Sequence, residues 1–423
     1  MQGSAATRSV LQGTAPGCRE RPGARSPGLA GEAGPEENER TKVRMREMKR
    51  LHALLMAVTL ALALVACVVG DPSAGSSGTT TISFNGDSIT VDGSGAAVDK
   101  STVTITSAGT YSLSGTLDDG QVKVNAGDAD MVRLVLSGVD ISCSTGAPIY
   151  IASADKTIIT LASGTANTVT DGPSYTSAGA DSGEPDAALF SKDDLTINGE
   201  GSLAVTGTYN DGITCKDDLK INGGSIAVKA VNDGIRGRDS VTIGGGEVSV
   251  TAGGDGIQSN NDEDTGKGYI AIEGGSVRVS AGADGIQAER SLSVTGGDIT
   301  IASGRDSAAD SGKGLKAGVS VTVTGGTLSI DSTDDAVHSD GSISIQGGAL
   351  ALSSGDDAVH ADSSLEIGGG EIAIARCYEG LDSAAITING GDVHVVASDD
   401  GVNAVTKGAV SGEMQRPGRD MAM

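Results

Sequence analysis

Between residues 189 and 408 the apolar residues come in short alternating bursts separated by glycine and aspartate. Ile213 and Cys215, then Leu219 and Ile221, then Ile226 and Val228, each follow the period of two that places one face of a β-strand in a core. Each burst is four or five residues long, and Gly-Gly or Asp-Gly pairs supply the bends between them. The Gly-Gly pair recurs at Gly223, Gly245, Gly274, Gly296, Gly325, Gly347, Gly369 and Gly390, at intervals of 22, 29, 22, 29, 22, 22 and 21 residues. The two longer intervals are one period plus a seven-residue insertion, so insertions enter as whole loops. An earlier copy, Leu189 to Gly207, matches Ile213 to Ala230 at an offset of 24, which makes at least nine copies.

Three short strands and three turns in about 22 residues form one coil of a parallel β-helix, an all-β solenoid that is stabilised by stacking. A calcium-binding β-roll would repeat every nine residues and a propeller blade every 40 or more, and the chain has neither period. Residues 79 to 175 are strand-rich with a less regular period, as expected of N-terminal coils that cap the stack. Gly172 to Glu184 is expected to be a loop.

Each copy carries an acidic residue at one phase: Asp211, Asp233, Asp255, Asp284, Asp335, Asp357, Glu379 and Asp400, doubled at Asp334, Asp356 and Asp399. Stacking turns that phase into a column with a rung spacing of about 4.8 Å. Two ionised carboxylates at that distance repel by roughly 3.5 kcal/mol at an effective dielectric near 20. Such a column splays outward, raises its pKa values or binds a hard cation. Ca2+ accepts six to eight oxygens from carboxylates, carbonyls and Asn, and Asn210 and Asn232 fit that mixture. The competing explanation is that Asp-Gly is a turn pair, in which Asp bonds its own backbone and Gly takes a positive φ. The insertion after Ile257 clusters Asn261, Asp262, Glu263 and Asp264 and is expected to be a solvated loop. His338 and His360 stand 22 residues apart in matching VHSD and VHAD segments, a polar column expected to face solvent or sugar.

Composition narrows the ligand. Residues 67 to 423 hold 20 basic and 49 acidic groups, a formal charge of −29, which argues against nucleic acid and anionic membrane as partners. Met48-Lys49-Arg50 and the apolar run from Leu51 form a secretory signal, ending in Leu64-Val65-Ala66-Cys67, the pattern of a bacterial lipobox. The expected organisation is an extension at 1–47, a lipoprotein signal peptide at 48–66, a linker at 67–78, the β-helix at 79–408 and a tail at 409–423. Acylated Cys67 would anchor a monomer to the outer face of the cell envelope. Cys143, Cys215 and Cys377 form neither a disulfide framework nor a metal motif, and Cys215 alternates like a core residue.

The segments DDAVHAD (Asp356 to Asp362), RCYEGLDS (Arg376 to Ser383), GKGLKA (Gly312 to Ala317), ASDDGVNA (Ala397 to Ala404) and Ala108 to Gly127 resemble motifs of a bacterial family of cell-surface carbohydrate-binding β-helix proteins. The resemblance covers roughly residues 79 to 408. It implies a right-handed, single-stranded parallel β-helix related to pectate lyases, several bound Ca2+ ions, and binding of cellulose-type and pectin-type polysaccharide without demonstrated cleavage. The acidic positions it matches are Asp334, Asp335, Asp356, Asp357, Glu379, Asp399 and Asp400; Ala336 and Ala358 depart from its usual glycine. With no Trp, two Phe and six Tyr, a flat aromatic strip for cellulose is hard to build. Calcium bridging protein carboxylates to uronates makes polygalacturonate the expected ligand, with His338, His360 and Lys316 contacting it. The alternatives are a surface adhesin or spacer stiffened by calcium, and a calcium-dependent lyase whose base would come from Lys216, Arg236, Arg238, Lys313 or Lys316.

Overall fold

The computed structural model describes residues 78–176, 184–306 and 312–405. The chain divides between Gly75 and Ser76 into two units, and every described residue belongs to the second. The expected extension at 1–47, the signal peptide at 48–66, Cys67, the linker up to residue 77 and the tail at 409–423 therefore lie outside the described residues.

Period-two alternation becomes strand wherever it occurs. Leu219, Ile221, Ile226 and Val228 point inward and are buried, while Lys220, Ala227 and Lys229 between them face outward. The described residues contain no helix, and their strands form two sheets, one of 22 strands and one of 14. A regular coil places one strand in the smaller sheet, such as Asp211–Cys215, and its next two bursts in the larger one, here the continuous Asp218–Ala230. Each strand pairs in parallel with its equivalent one coil later: Ile213 opposes Ile235, and Leu219 opposes Val241. The inward residues thus stack like on like, and burying one Ile or Leu contributes roughly 2 kcal/mol. Cys215 and Cys377 are buried free thiols within this interior, and Cys143 is a buried free thiol at its margin.

The seven-residue insertions leave that register intact. Ile257 opposes Ile286 and Ile286 opposes Leu315, although each pair is 29 residues apart. The first insertion is tied down by Asn261, which is buried and donates to Asp239 Oδ1 at 2.5 Å. Asp262, Glu263 and Asp264 project into solvent, as a solvated loop requires.

Two kinds of glycine turn the chain, for different reasons. The second residue of each Gly-Gly pair has φ near +90°, as at Gly224 (+90°) and Gly246 (+92°), a conformation that L side chains rarely adopt. The Asp-Gly glycines lack the positive φ expected of them. They are small because a Cβ on Gly212 would meet Val228 Cγ1 at 2.3 Å and the Gly234 carbonyl at 2.7 Å. Close approach of neighbouring coils, rather than turn geometry, selects glycine there. At Ala336 and Ala358 the methyl group is accommodated and fully buried.

The N-terminal coils end the stack differently from the regular ones. Thr80–Gly86 pairs antiparallel with Ser88–Asp92, and Ala96–Asp99 pairs antiparallel with Thr102–Ile105. These two hairpins cover the first parallel strands, which would otherwise present open edges.

Candidate functional site: a buried aspartate column under a row of donors

Each strand of the smaller sheet in the regular coils is entered through the acidic phase. Where an aspartate stands one coil earlier, its Oδ1 accepts the backbone amide at this phase; the Asp335 amide, which follows Lys313, donates to Asp334 Oδ1 instead. The distances are 3.1 Å from Asp233 to Asp211, 2.9 Å from Asp255 to Asp233, 3.0 Å from Asp284 to Asp255, and 3.0 Å from Asp357 to Asp335. Asp211, Asp233, Asp255, Asp284, Asp335 and Asp357 are consequently buried, at 0–8% exposure. The column does not splay into solvent. It serves the backbone first, because a carboxylate oxygen is the acceptor that each incoming amide requires.

At Asp211, Asp255, Asp335 and Asp357 the second carboxylate oxygen meets the side chain three residues on, in a strand of the smaller sheet. Thr214 donates to Asp211 Oδ2 at 3.1 Å and Gln258 to Asp255 Oδ2 at 2.7 Å. His338 Nδ1 lies 2.7 Å from Asp335 Oδ2, and His360 Nδ1 lies 2.9 Å from Asp357 Oδ2. Backbone pairing aligns these residues into a second column: Thr214, Arg236, Gln258, Gln287, Lys316, His338, His360, Asp382 and Asn403. Some members reach across coils. Arg236 lies 2.6 Å from Asp186 and 2.9 Å from Asp211, and Lys316 lies 2.9 Å from Asp284. His338 and His360 stack at 5.1 Å, and each Nε2 faces a further carboxylate, Asp340 or Asp362.

The acidic phase is interrupted once, by Lys313. Its amide donates to Asp284 Oδ1 at 2.8 Å, and the following Gly314 amide donates to the Asp335 carbonyl, so Lys313 occupies an aspartate's place. Its ammonium bonds Asp334 and lies 3.7 Å from Asp335. Aligning GKGLKA with the ADGIQA of the preceding coil reveals the substitution, a signal in the sequence that the search for acids alone passes over.

Protonation follows these neighbours. Burial raises Asp211 and Asp255, and it raises Asp233 to about 7 with help from the charges of Asp211 and Asp255. Burial also opposes ionisation of Asp335, but the His338 hydrogen bond and the Lys313 charge outweigh it and the pKa is lowered. The Asp357 hydrogen bond raises His360 to about 9 against the cost of burial. Burial disfavours the Lys313 ammonium, yet Asp334 and Asp335 reverse that and raise its pKa.

Among the described residues, two groups gather enough ligand atoms to hold a cation. Carboxylate oxygens of Asp334, Asp335 and Asp356 lie within 4.8 Å of one another, as do ligand atoms of Asp357, His360 and Asp382. The first set is all oxygen and reaches the surface through Asp356, a donor set suited to Ca2+, with the Lys313 ammonium as its internal competitor. Glu379 takes the amide of its own backbone to Asp357 at 3.3 Å, and Asn403 donates to its Oε2 at 2.9 Å; Asp399 and Asp400 are exposed. The remaining basic candidates sit apart from the column, Lys216 paired with Glu184 at 2.8 Å and Arg238 with Glu263 at 2.5 Å.

Comparison with known proteins converges on sugars. A family model described as carbohydrate-binding domain-containing protein matches residues 99–358. A carbohydrate-binding domain-containing protein of Acetivibrio thermocellus is 43% identical over 150 residues, 35% of this chain and 52% of that relative. The match thus spans about half the length of that curated relative. A solved structure described as the polysaccharide lyase-like protein from C. thermocellum, a gadolinium derivative, aligns with a TM-score of 0.55 and 39% identity. That alignment covers 58% of this chain and 97% of the other.

Proposed function

The chain belongs to the family of carbohydrate-binding domain-containing proteins, and from that premise we propose that it is an exported, Cys67-anchored protein that binds acidic polysaccharide of the pectin type without cleaving it. In this reading the stacked coils are one right-handed parallel β-helix, and the polymer lies along the second column, over Lys316, His338 and His360. The observation that carries the reading is the row of donors aligned coil by coil beside buried carboxylates, with Lys316, His338 and His360 on successive rungs facing a repeating ligand.

Calcium enters at Asp334, Asp335 and Asp356. Bound there, the ion would supply a positive charge shared between protein carboxylates and a uronate. The oxygen-only donor set supports this.

A lyase is the second reading, favoured by the description of that solved relative as polysaccharide lyase-like. Proton abstraction requires a base that gives up its proton near neutral pH. Arg236 and Lys313 are instead held protonated by their aspartates, which outweigh the effect of burial on each. Lys316 is paired with buried Asp284. This pairing supports binding over elimination.

The test is co-sedimentation of the full-length protein with polygalacturonate, with and without a chelator, alongside absorbance of unsaturated uronate. Retention that falls on chelation, with flat absorbance, is expected. Rising absorbance would replace binding by lysis, and no retention in either condition would sink the reading.

A further inference from the structure

Half of the aromatic residues of this aromatic-poor chain meet at one place. Tyr150, Tyr175, Phe190 and Tyr209 come from four segments spread over 60 residues and form a single patch at the start of the second column. Phe190 is fully buried and forms the floor, packed with Ala147 and Ala187, and Tyr150 and Tyr175 pack against that cluster from outside. Tyr150 tilts against Phe190 at 5.9 Å, and Lys123 Nζ stands 5.5 Å above its ring. Tyr175 and Tyr209 stack at 4.2 Å with 16° between their planes, and both remain partly exposed. Pairing of Tyr150 with Phe190 and of Phe190 with Thr214 makes the patch continuous with the charged column.

An open groove adjoins it, with Cys143 and Gly172 sharing its lining. Asp118, Asp119, Ser142, Ser144, Thr170 and Asp171 line a space of about 380 Å3, within the ~300–1,000 Å3 typical of small-molecule sites. Tyr175 joins groove to patch by donating its hydroxyl to Asp171 Oδ2 at 2.8 Å. Asp171 Oδ1 accepts from the Thr208 hydroxyl at 2.9 Å, which fixes the segment carrying Tyr209.

We propose that Tyr150, Tyr175 and Tyr209, with this groove, form a subsite for the uncharged pyranose rings of a polysaccharide, separate from the charged column. The proposal rests on the carbohydrate-binding reading and adds a second ligand class to it. Aromatic faces attract the apolar C–H face of a sugar ring, and carboxylates and hydroxyls accept from and donate to its rim. The groove brings Asp118, Asp119 and Asp171 together, so a uronate is repelled there and a neutral ring is not. The aromatic strip that composition makes improbable is replaced by a compact patch, because folding concentrates half the rings.

Cellohexaose, a mixed-linkage β-glucan and polygalacturonate test it. The chain has no Trp, so its ultraviolet emission comes from tyrosine, and cellohexaose should change that emission on binding. Affinity electrophoresis of full-length Tyr209→Ala and Tyr150→Leu should show about tenfold weaker β-glucan binding, with polygalacturonate retention unchanged. Lys316→Ala should show the reverse pattern. If wild-type protein binds polygalacturonate but neither neutral ligand, or if the tyrosine variants bind β-glucan as wild type does, the subsite is wrong while the binding reading stands. If no polysaccharide is retained at all, both fall. Should Tyr209→Ala misfold by circular dichroism, Tyr150→Leu and the emission of the wild-type protein still decide between these outcomes.

Discussion

Asp233 and Asp335 stand at equivalent entrances of two coils, both buried, each offering Oδ1 to the amide of the next coil's aspartate. Burial pushes Asp233 up to about 7, whereas Asp335 is drawn below the usual carboxylate range. Both are buried and both accept a backbone amide, so the difference lies in the neighbouring charges: Asp233 stands between Asp211 and Asp255, whereas Asp335 is met by His338 and Lys313. Arg236 stands 3.9 Å from Asp233 and spends its closer contacts on Asp186 and Asp211; Asp335 has His338 at 2.7 Å and Lys313 beside it. A repeated residue is therefore not a repeated charge state. Around Asp233 the carboxylates crowd one another while Arg236 is engaged by Asp186 and Asp211, whereas Asp335 and Asp357 each have a histidine of their own.

The largest effect that would break this contrast is expected from Lys313→Met. Removing the ammonium leaves Asp334 and Asp335 facing each other, at a cost of about 3 kcal/mol near neutral pH. Hydrogen exchange should localise the loss to the coils between residues 284 and 345. If millimolar Ca2+ restores protection, the Asp334–Asp335–Asp356 set holds a cation in place of the lysine. Unchanged exchange in the variant would remove Lys313 from its role.

The upstream half should respond in the opposite sense. A carboxyl whose folded pKa lies above its unfolded value stabilises fully below about pH 4, and Asp233 loses that contribution as pH rises through about 7. Asp233→Asn keeps the Oδ1 acceptor and removes the ionisation. It should therefore stabilise these coils by on the order of 2 kcal/mol at pH 8 and by nearly nothing at pH 4. Denaturation at the two pH values checks this, and an equal effect at both would mean that Asp233 does not titrate there.

The smallest change is expected from His360→Gln, which keeps a donor near Asp357 but loses the charge. A histidine whose folded pKa is raised stabilises fully below about pH 6.5, and His360 loses that contribution as pH rises through about 9. The variant should cost about 1 kcal/mol at pH 6 and approach wild type above pH 9. Because stacked repeats open locally, exchange of the strand Val359–Ala361 is a better readout than a global melt.

Much of the fold is legible along the chain. Ile213, Cys215, Leu219 and Ile221 alternate, are buried, and belong to strands where the alternation says they should. The acidic phase is legible too, but its burial is not. Asp-Gly reads as an exposed turn, and only the neighbouring coil shows that Val228 and the Gly234 carbonyl crowd the glycine. Lys313 is harder still, since a lysine in an acidic phase resembles an insertion until its amide is seen bonded to Asp284.

The sequence by itself determined the period, the strand positions, the Gly-Gly corners and the recurrence of acids, because alternation and positive φ are properties of a few consecutive residues. Tertiary structure alone decided which coil lies on which. That stacking hid the carboxylates, chose a different partner for each second oxygen, put a lysine among the aspartates and gathered four scattered rings into one patch. Apart from the second-oxygen partners three residues on, these are contacts between residues about 20 to 50 positions apart, and no local pattern specifies them. They exist only once every coil has found its neighbour.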